Sequence, residues 1–428
     1  MTLGGGTATI ETGCGRNQTR GVKGKNAGPG DAQGRAVPPM NEAQAKLTFW
    51  GVRGSTPTVD PATWRYGGNT PCLDFVAPDG TQFIFDCGTG LRMLGSRLQE
   101  QAGSFAPETH LLVTHYHWDH IQGLPFFSPF YVDRNTFHFY SFQSKFLGRD
   151  SLKQVFEAQM ALPYFPVDLS AMSAKRTFRE VGGGESFQIG TTKITSRWLN
   201  HPQGAMGYRL ETPAGIIVYA TDNEPGDPAL DRSLRELAEG ADVFINDAQF
   251  TPEQLAGSRR GWGHSTWQEG VKVAKEVGAK RLVLFHHDPD STDRIVDGLL
   301  RQARGEFESV FAATEGMVIT LGGAESANIH IPGSRSSLRR EAQFRATVSG
   351  TREDGRSFEE ETVVRDVSLQ GALIPLSNCP RLQSELLVDI ETPGADGERQ
   401  KMQLRGYVVR VDPDREKGSA AVGVVFTD

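Results

Sequence analysis

Within six residues of this chain, His115, His117, Asp119 and His120 offer three imidazoles and a carboxylate. Along an extended segment, residues i and i+2 face the same side, so His115 and His117 can present their rings to one cation. The turn that follows can aim Asp119 and His120 at a second point a few ångströms away. Nitrogen and carboxylate ligands in this mix suit Zn²⁺. They also admit Mn²⁺ or Fe, because no thiolate selects a soft metal. Four potential ligands at the end of the apolar run HLLVTH are hard to explain as packing. Three further candidates end strand-like runs: His201 in LNHPQG, Asp222 in IIVYATD and His286 in RLVLFH. Ligand sites of α/β sheets gather at such strand ends. Together the set of five His and two Asp is enough for two metals sharing one bridging carboxylate.

The elements that must position these residues follow from periodicity. Residues 1–45 are rich in Gly, Thr, Asn and Lys and show no apolar period, which reads as a disordered leader. Met40 stands directly before the first strand-like run, so translation starts there or the leader is a tail. From Lys46 to Gly322, strands such as KLTFWGV and RLVLFHH alternate with amphipathic helices such as TDRIVDGLLRQARGEF. That alternation predicts an α/β domain over residues 46–322. Asp79-Gly80 and Pro213-Ala-Gly215 mark hairpin turns, and Thr266-x-x-Glu269 marks a helix start. Residues 323–335 read as a linker. Residues 336–428 break into short alternating strands, the signature of a small all-β barrel.

Composition narrows the function classes. The chain has 428 residues and a formal net charge of −7, which argues against a broad basic face for duplex nucleic acid. Four scattered cysteines, none at CxxC spacing, exclude a zinc ribbon and suit the reducing cytoplasm. No apolar run reaches the 18 or so residues of a membrane helix, which predicts no membrane partner. Residues 128–169, rich in aromatics and only moderately charged, read as a lid over a small substrate, and the acidic balance makes tRNA a less favoured partner.

The motif HxHxDH with its later His, Asp and His resembles the metallo-β-lactamase superfamily. GVRGSTP, YGGNTPCL, FDCGTG, ATDNE and LFHHDP are similar to its phosphodiesterase-like branch, which includes ribonuclease Z and the phosphoribosyl cyclic phosphodiesterases. The resemblance implies a four-layer αββα sandwich with metals at the edge of the sheets. It implies that His115, His117 and His201 hold one metal, that Asp119, His120 and His286 hold the other, and that Asp222 bridges them. Counting back three from Pro289 selects His286 over its neighbour His287. INDAQF and GWGHST resemble the ribonuclease Z segments that supply a carboxylate–histidine pair, which implies that Asp247 orients His264 and that His264 protonates the leaving group. The family pair more often has Glu where this chain has Asp247. The catalytic residues implied are thus Asp119, Asp247 and His264. Two metals would activate water at neutral pH and clamp a phosphoryl group. Gly51–Gly54 and Gly67–Thr70 could bring backbone N–H groups, or Arg53, to a phosphate. Asp86 is expected beside the site rather than as a ligand.

RDVSLQGALI, with Asp366, Ser368 and Gly371 as DxSxxG, resembles the PilZ domain, as do the flanking SLRREAQFRATV and GYVVRVDPD. That resemblance implies a β-barrel binding cyclic di-GMP through Arg339, Arg340, Arg345, Asp366, Ser368 and Gly371. Arg side chains give bidentate contacts to phosphates and guanine edges. The family pattern is RxxxR, whereas four residues separate Arg340 from Arg345 here. The expectation is a dinuclear metal hydrolase of a small phosphodiester or nucleotide, regulated by cyclic di-GMP. The alternatives are an effector working through protein partners and a hydrolase of a lactone, thioester or lactam carbonyl.

Overall fold

The computed structural model describes residues 44–100, 108–322, 328–331, 340–352, 354–368, 371–393, 399–414 and 419–427. The expected leader lies outside them except for its last two residues, of which Ala45 already opens the first strand. Two sheets face each other. The first contains β1 (Ala45–Gly51), β2 (Cys72–Val76), β3 (Gln82–Phe85), β4 (Glu108–Leu112), β5 (Thr136–Ser141) and β6 (Lys175–Glu180). The second contains β7 (Ser186–Ile189), β8 (Thr192–Leu199), β9 (Ala205–Thr212), β10 (Gly215–Ala220), β11 (Val243–Asp247), β12 (Leu282–Phe285) and β13 (Val310–Ala312). The chain then returns to the first sheet as β14 (Val318–Leu321) and β15 (Asn328–His330). Among the described residues the strand orders are β15-β14-β1-β2-β3-β4-β5-β6 and β13-β12-β11-β10-β9-β8-β7.

Seven helices among the described residues are α1 (Gly90–Glu100), α2 (Trp118–Ile121), α3 (Ser151–Gln159), α4 (Pro228–Ala238), α5 (Pro252–Ala256), α6 (Trp267–Glu276) and α7 (Asp293–Glu306). Their amphipathic faces define the layers. Leu91 and Leu94 of α1, with Leu152 and Phe156 of α3, bury against the outer face of the first sheet. Leu234 and Leu237 of α4, Trp267 and Val271 of α6, and Val296 and Leu300 of α7 cover the second. Between the sheets lie Phe49, Phe75, Phe85, Tyr208, Tyr219, Ile245 and Phe285. Each such side chain contributes about 1.5–3 kcal/mol on leaving water. The result is the expected αββα sandwich.

Two expectations change. The stretch 128–169 is part core rather than a lid throughout: Phe130, Phe137, Phe139 and Phe156 are buried, with β5 in the sheet and α3 packed on it. Tyr131, Phe146, Leu147, Leu162, Tyr164 and Val167 remain exposed. The segment read as a linker supplies β15, whose Ile329 pairs with Ile319 of β14, and Ile331 after it is buried. Alternating apolar residues in so short a run carry too weak a period to separate a strand from a linker.

The C-terminal part is a closed barrel of β16 (Arg340–Thr351), β17 (Ser357–Ser368), β18 (Gly371–Leu376), β19 (Glu385–Pro393), β20 (Arg399–Asp414) and β21 (Ser419–Phe426), in the order β16-β17-β18-β21-β20-β19. Val348, Val364, Ile374, Val388 and Val422 fill it. Closure leaves no free sheet edge.

The barrel touches the sandwich. Val409 and Val425 join the core between the two sheets. The Arg65 guanidinium lies 4.2 Å above the Tyr407 ring. Gln383, itself in the left-handed region at φ 60°, caps β13, the terminal strand of its sheet. Its Nε2 donates to the Ala312 carbonyl at 2.9 Å, and its Oε1 accepts from the Ala312 N–H at 3.2 Å. Removing this amide strands two buried backbone groups, each costing about 1–3 kcal/mol. Gln383→Ala is therefore expected to lower the unfolding free energy in urea by about 2–4 kcal/mol, whereas Gln403→Ala, on the exposed barrel surface, should change it by less than about 0.5 kcal/mol.

Candidate metal centre

All the sequence-nominated ligands converge at one edge of the two sheets. β4 ends at Leu112, and the chain passes through Val113 and Thr114 to His115. His117 is the N-cap of α2, which contains Asp119 and His120. The HxHxDH segment is thus a loop running into a helical turn, not a strand end, and the helix takes over the role expected of the turn. His201 follows β8, Asp222 follows β10 and His286 follows β12. Asp86, Asp222 and His286 adopt φ of 57°, 56° and 60°. Non-glycine residues held in this region mark sites where surrounding structure overrides local strain.

The side chains form two groups. His115, His117 and His201 have ligand atoms within 4.8 Å of one another, as do Asp119, His120 and His286. Asp222 stands between them. Its Oδ1 faces His115 Nε2 at 3.7 Å and His201 Nε2 at 3.8 Å. Its Oδ2 faces His120 Nε2 at 3.3 Å and His286 Nε2 at 3.4 Å. Asp119 Oδ2 lies 3.3 Å from His120 Nε2 and 3.1 Å from His286 Nε2, and His117 Nδ1 lies 3.0 Å from His201 Nε2. Two ligands about 2.1 Å from one Zn²⁺ across a tetrahedral angle stand roughly 3.4 Å apart. His115 Nε2 is buried without a hydrogen-bond partner. An orphaned ring nitrogen among carboxylates is what a metal ligand requires, so the donor set fits two divalent ions.

The electrostatics agree. Burial drives His115 well below the usual imidazole range and His201 down to about 4, which keeps both neutral and able to ligate. Burial also opposes charge on Asp119 and Asp222, but surrounding imidazoles outweigh it and hold both carboxyls well below the ordinary range. Burial works against a charged His120, yet Asp119, Asp222 and Asp86 raise it well above its usual value. The pocket is built to stabilise positive charge.

Neighbouring groups fix the ring orientations. Asp86 Oδ2 pairs with His120 Nδ1 at 2.8 Å and accepts from the Tyr219 hydroxyl at 2.9 Å. Its Oδ1 accepts from the Thr114 N–H at 2.7 Å. Gln249 Oε1 pairs with His286 Nδ1 at 2.9 Å, and the Gly263 carbonyl with His201 Nδ1 at 2.8 Å. The Ser55 N–H donates to Asp119 Oδ2 at 2.8 Å. Such outer partners set the tautomer that leaves the other nitrogen free to ligate. Gln249, Ser55 and Gly263 escape sequence reasoning. Only the Gly-Trp-Gly spacing before His264, and Gln249 two residues after Asp247, hint at them. A Cβ on Gly54 would lie 2.3 Å from His286 Nδ1, so the chain needs glycine there for close approach.

Asp247 and His264 come together beside this cluster. His264 Nδ1 lies 2.8 Å from Asp247 Oδ2 and 3.7 Å from Asp222 Oδ1. Asp247 also accepts from the N–H groups of Asp222, Gln249 and Ser265. With four donors it is an orienting group rather than a ligand. Burial opposes a charged His264, but Asp247 outweighs it and lifts the ring to about 9.

Arg53 corrects an expectation. It is fully buried and donates to the carbonyls of Gly67, Asp288, Ser291 and Thr63, so it staples loops and reaches no substrate. Asn69 is likewise engaged by Glu315. Backbone carbonyls three to four deep around one guanidinium satisfy a buried cation better than an open cleft does. His287 points away from the cluster, onto the Ala313 carbonyl.

In the barrel, Arg339 lies outside the described residues, and only the backbone of Arg340, Asp366 and Ser368 is described. Arg345 is exposed and Gly371 buried. Arg340 stands opposite Val367 and Arg345 opposite Val363, with a register irregularity between Glu341 and Phe344. A bulge thus absorbs the extra residue between the two arginines, placing them opposite residues four apart. Ser368 pairs with Gly371, Gly371 with Val425 and Val425 with Tyr407, so the DxSxxG turn lies in one row with the contacts to the sandwich.

Residues 81–287 match the beta-lactamase superfamily domain, and residues 334–428 match the PilZ domain. The ribonuclease Z of Haloarcula marismortui is 27% identical over 315 residues, spanning 64% of this chain and 95% of its own. Ribonuclease BN of Escherichia coli is 25% identical over 289 residues, spanning 54% and 86%. Among solved structures, a diphosphatase of the PhnP family has 19% identity and a TM-score of 0.48 over 65% of this chain and 97% of that one.

Asp86→Asn leaves the His120 ring without its anionic partner. It is expected to weaken divalent-metal affinity by about 10–100-fold, read by competition with a chromophoric chelator.

Proposed function

From a chain that joins a beta-lactamase superfamily hydrolase domain to a PilZ domain, we propose a dinuclear metal-dependent phosphodiesterase. One observation carries this reading: Asp222 turns one oxygen to each of two imidazole groups, with the Asp247–His264 pair beside it. Divalent ions bound there would supply an activated nucleophile and charge stabilisation for a phosphoryl group. Zn²⁺ suits the donors best, and Mn²⁺ or Fe is compatible with them.

The chain's own residues account for the rest. His115, His117 and His201 would hold one ion and Asp119, His120 and His286 the other, with Asp222 placed to serve both. Asp247 Oδ2 holds the His264 Nδ1 proton, which leaves Nε2 to carry the proton for transfer. Asp247 shifts the ring toward its protonated form, the state a general acid needs. His264 would then protonate the departing alkoxide, and Asp247 would steady the ring through the change. Asp247 replaces the longer Glu of the family without losing contact, because the 261–265 turn brings His264 to it.

The substrate class is a small phosphodiester or nucleotide. The relatives named ribonuclease Z favour phosphodiester over carbonyl chemistry. The barrel would bind cyclic di-GMP through Arg339, Arg340, Arg345 and the turn Asp366–Gly371. The bulge that restores the arginine spacing supports this, and the row from Gly371 to Tyr407 offers a route by which the nucleotide would regulate hydrolysis.

Zn²⁺- or Mn²⁺-loaded protein is expected to hydrolyse bis-p-nitrophenyl phosphate and to lose turnover in EDTA. His264→Ala should slow a diester with an alkoxide leaving group by about 10²–10⁴-fold. Cyclic di-GMP should bind the full chain in calorimetry and change kcat or KM, and Arg345→Ala should abolish both effects. A protein shown to hold two metal ions, yet inert toward phosphodiesters, would point instead to a carbonyl substrate or an effector role.

A further inference from the structure

We infer that Glu224 is a positioning residue that holds a metal ligand and the general acid through one turn; this rests on the phosphodiesterase reading above. Glu224 lies two residues past Asp222, on the same loop after β10. Its carboxylate accepts from the Gly261 N–H, at 2.8 Å to Oε1 and 2.9 Å to Oε2, and from the Gly263 N–H at 2.8 Å. Its backbone is tied to the segment carrying His201. The Glu224 N–H donates to the Asn200 carbonyl at 2.8 Å, and Asn200 Nδ2 donates to the Glu224 carbonyl at 2.7 Å.

The turn held in this way has two outputs. The Gly263 carbonyl orients His201 through Nδ1 at 2.8 Å, leaving Nε2 toward the metal position. The next residue is His264, and the Ser265 N–H after it donates to Asp247 Oδ1 at 2.9 Å. Residues 261–265 are therefore pinned from both sides, by Glu224 and by Asp247. Gly263 sits at φ 88°, and a Cβ there would meet His201 Nδ1 at 2.1 Å. The turn has no slack: a shift of Gly263 moves His201 and His264 together. One loop, residues 222–224, thus supplies the shared carboxylate and sets the distance from it to both histidines.

The chemistry of the clamp demands an anion. Backbone N–H groups from two residues meet both carboxylate oxygens, which matches an acceptor-only group. In Glu224→Gln an amide N–H faces the Gly261 N–H in either orientation, because that donor sits within 2.9 Å of both oxygens. Glu224→Asp keeps the charge with a shorter reach.

The test uses the full-length protein and reads two quantities. The first is metal titration against a chromophoric chelator. Glu224→Gln should weaken one of the two sites, that of His115, His117 and His201, by about 10–100-fold, with Glu224→Asp recovering part of the loss. The second is the leaving-group split at saturating metal. Bis-p-nitrophenyl phosphate expels a weak base and gains little from a general acid, whereas diphenyl phosphate expels a much stronger one. Glu224→Gln should cut kcat on diphenyl phosphate by about 10-fold or more, with a far smaller effect on the nitrophenyl ester and little change in KM. An unchanged metal titration, or equal losses on both esters, overturns the proposal. If the wild type hydrolyses neither ester, the phosphodiesterase reading fails, and the titration alone still decides whether Glu224 positions His201.

Discussion

The shared carboxylate of Asp222 is the constraint on which the rest of this site depends. Two imidazole groups approach it, each takes one of its oxygens, and each draws one ring from either sheet. His115 and His120 arrive from the loop after β4 in the first sheet, and His201 and His286 from strand ends of the second. Burying so many polar rings around one anion costs free energy unless a cation compensates. The apolar layer between the sheets supplies the rigidity that holds this arrangement. Phe85, Tyr219 and Phe285 are buried in that layer. Each stands within three residues of a site group: Asp86, Asp222 or His286.

Around this centre, carboxylates act in distinct ways. Asp119 and Asp222 face the metal positions. Asp86 sets the His120 ring, Asp247 sets His264, and Glu224 gathers the turn that carries His264. Each outer carboxylate accepts from N–H or O–H donors of the protein, which hold it in place as a partner of a ring or turn. Positive φ at Asp86, Asp222 and His286 shows the backbone bent to suit this geometry.

The barrel meets the sandwich through few but specific contacts. The Gln383 amide completes the edge of β13 as another strand would. Tyr407 lies under Arg65, whose backbone N–H bonds Asp293, the carboxylate that also faces the buried Arg53. Arg53 anchors the loop whose Ser55 N–H reaches Asp119. The domain boundary and the metal cluster therefore share a continuous polar network. Its presence makes coupling between a barrel ligand and hydrolysis a physical question that mutation can address.

Much of this was legible in the order of residues. Ligand chemistry shows in types and short spacings, so HxHxDH stands out before any fold is known. Periodicity announces an α/β domain and a barrel, while the sandwich follows from the motif resemblance; in the fold His286 faces Asp119 and His287 the Ala313 carbonyl. What the sequence could not decide was anything set by contact between distant segments. Arg53 looks like a phosphate-binding group until the loops at Gly67 and Ser291 close around it. Some of the aromatics of 128–169 look like a lid until β5 and α3 bury them. Ser55 and Glu224 carry no local signal, and Gln249 and Gly263 only a faint one, because a group acquires its role only when the fold brings a partner to it. The division is physical: composition and period determine which surfaces must be buried and which atoms can ligate, while hydrogen-bond partners far apart in the chain are chosen by tertiary packing.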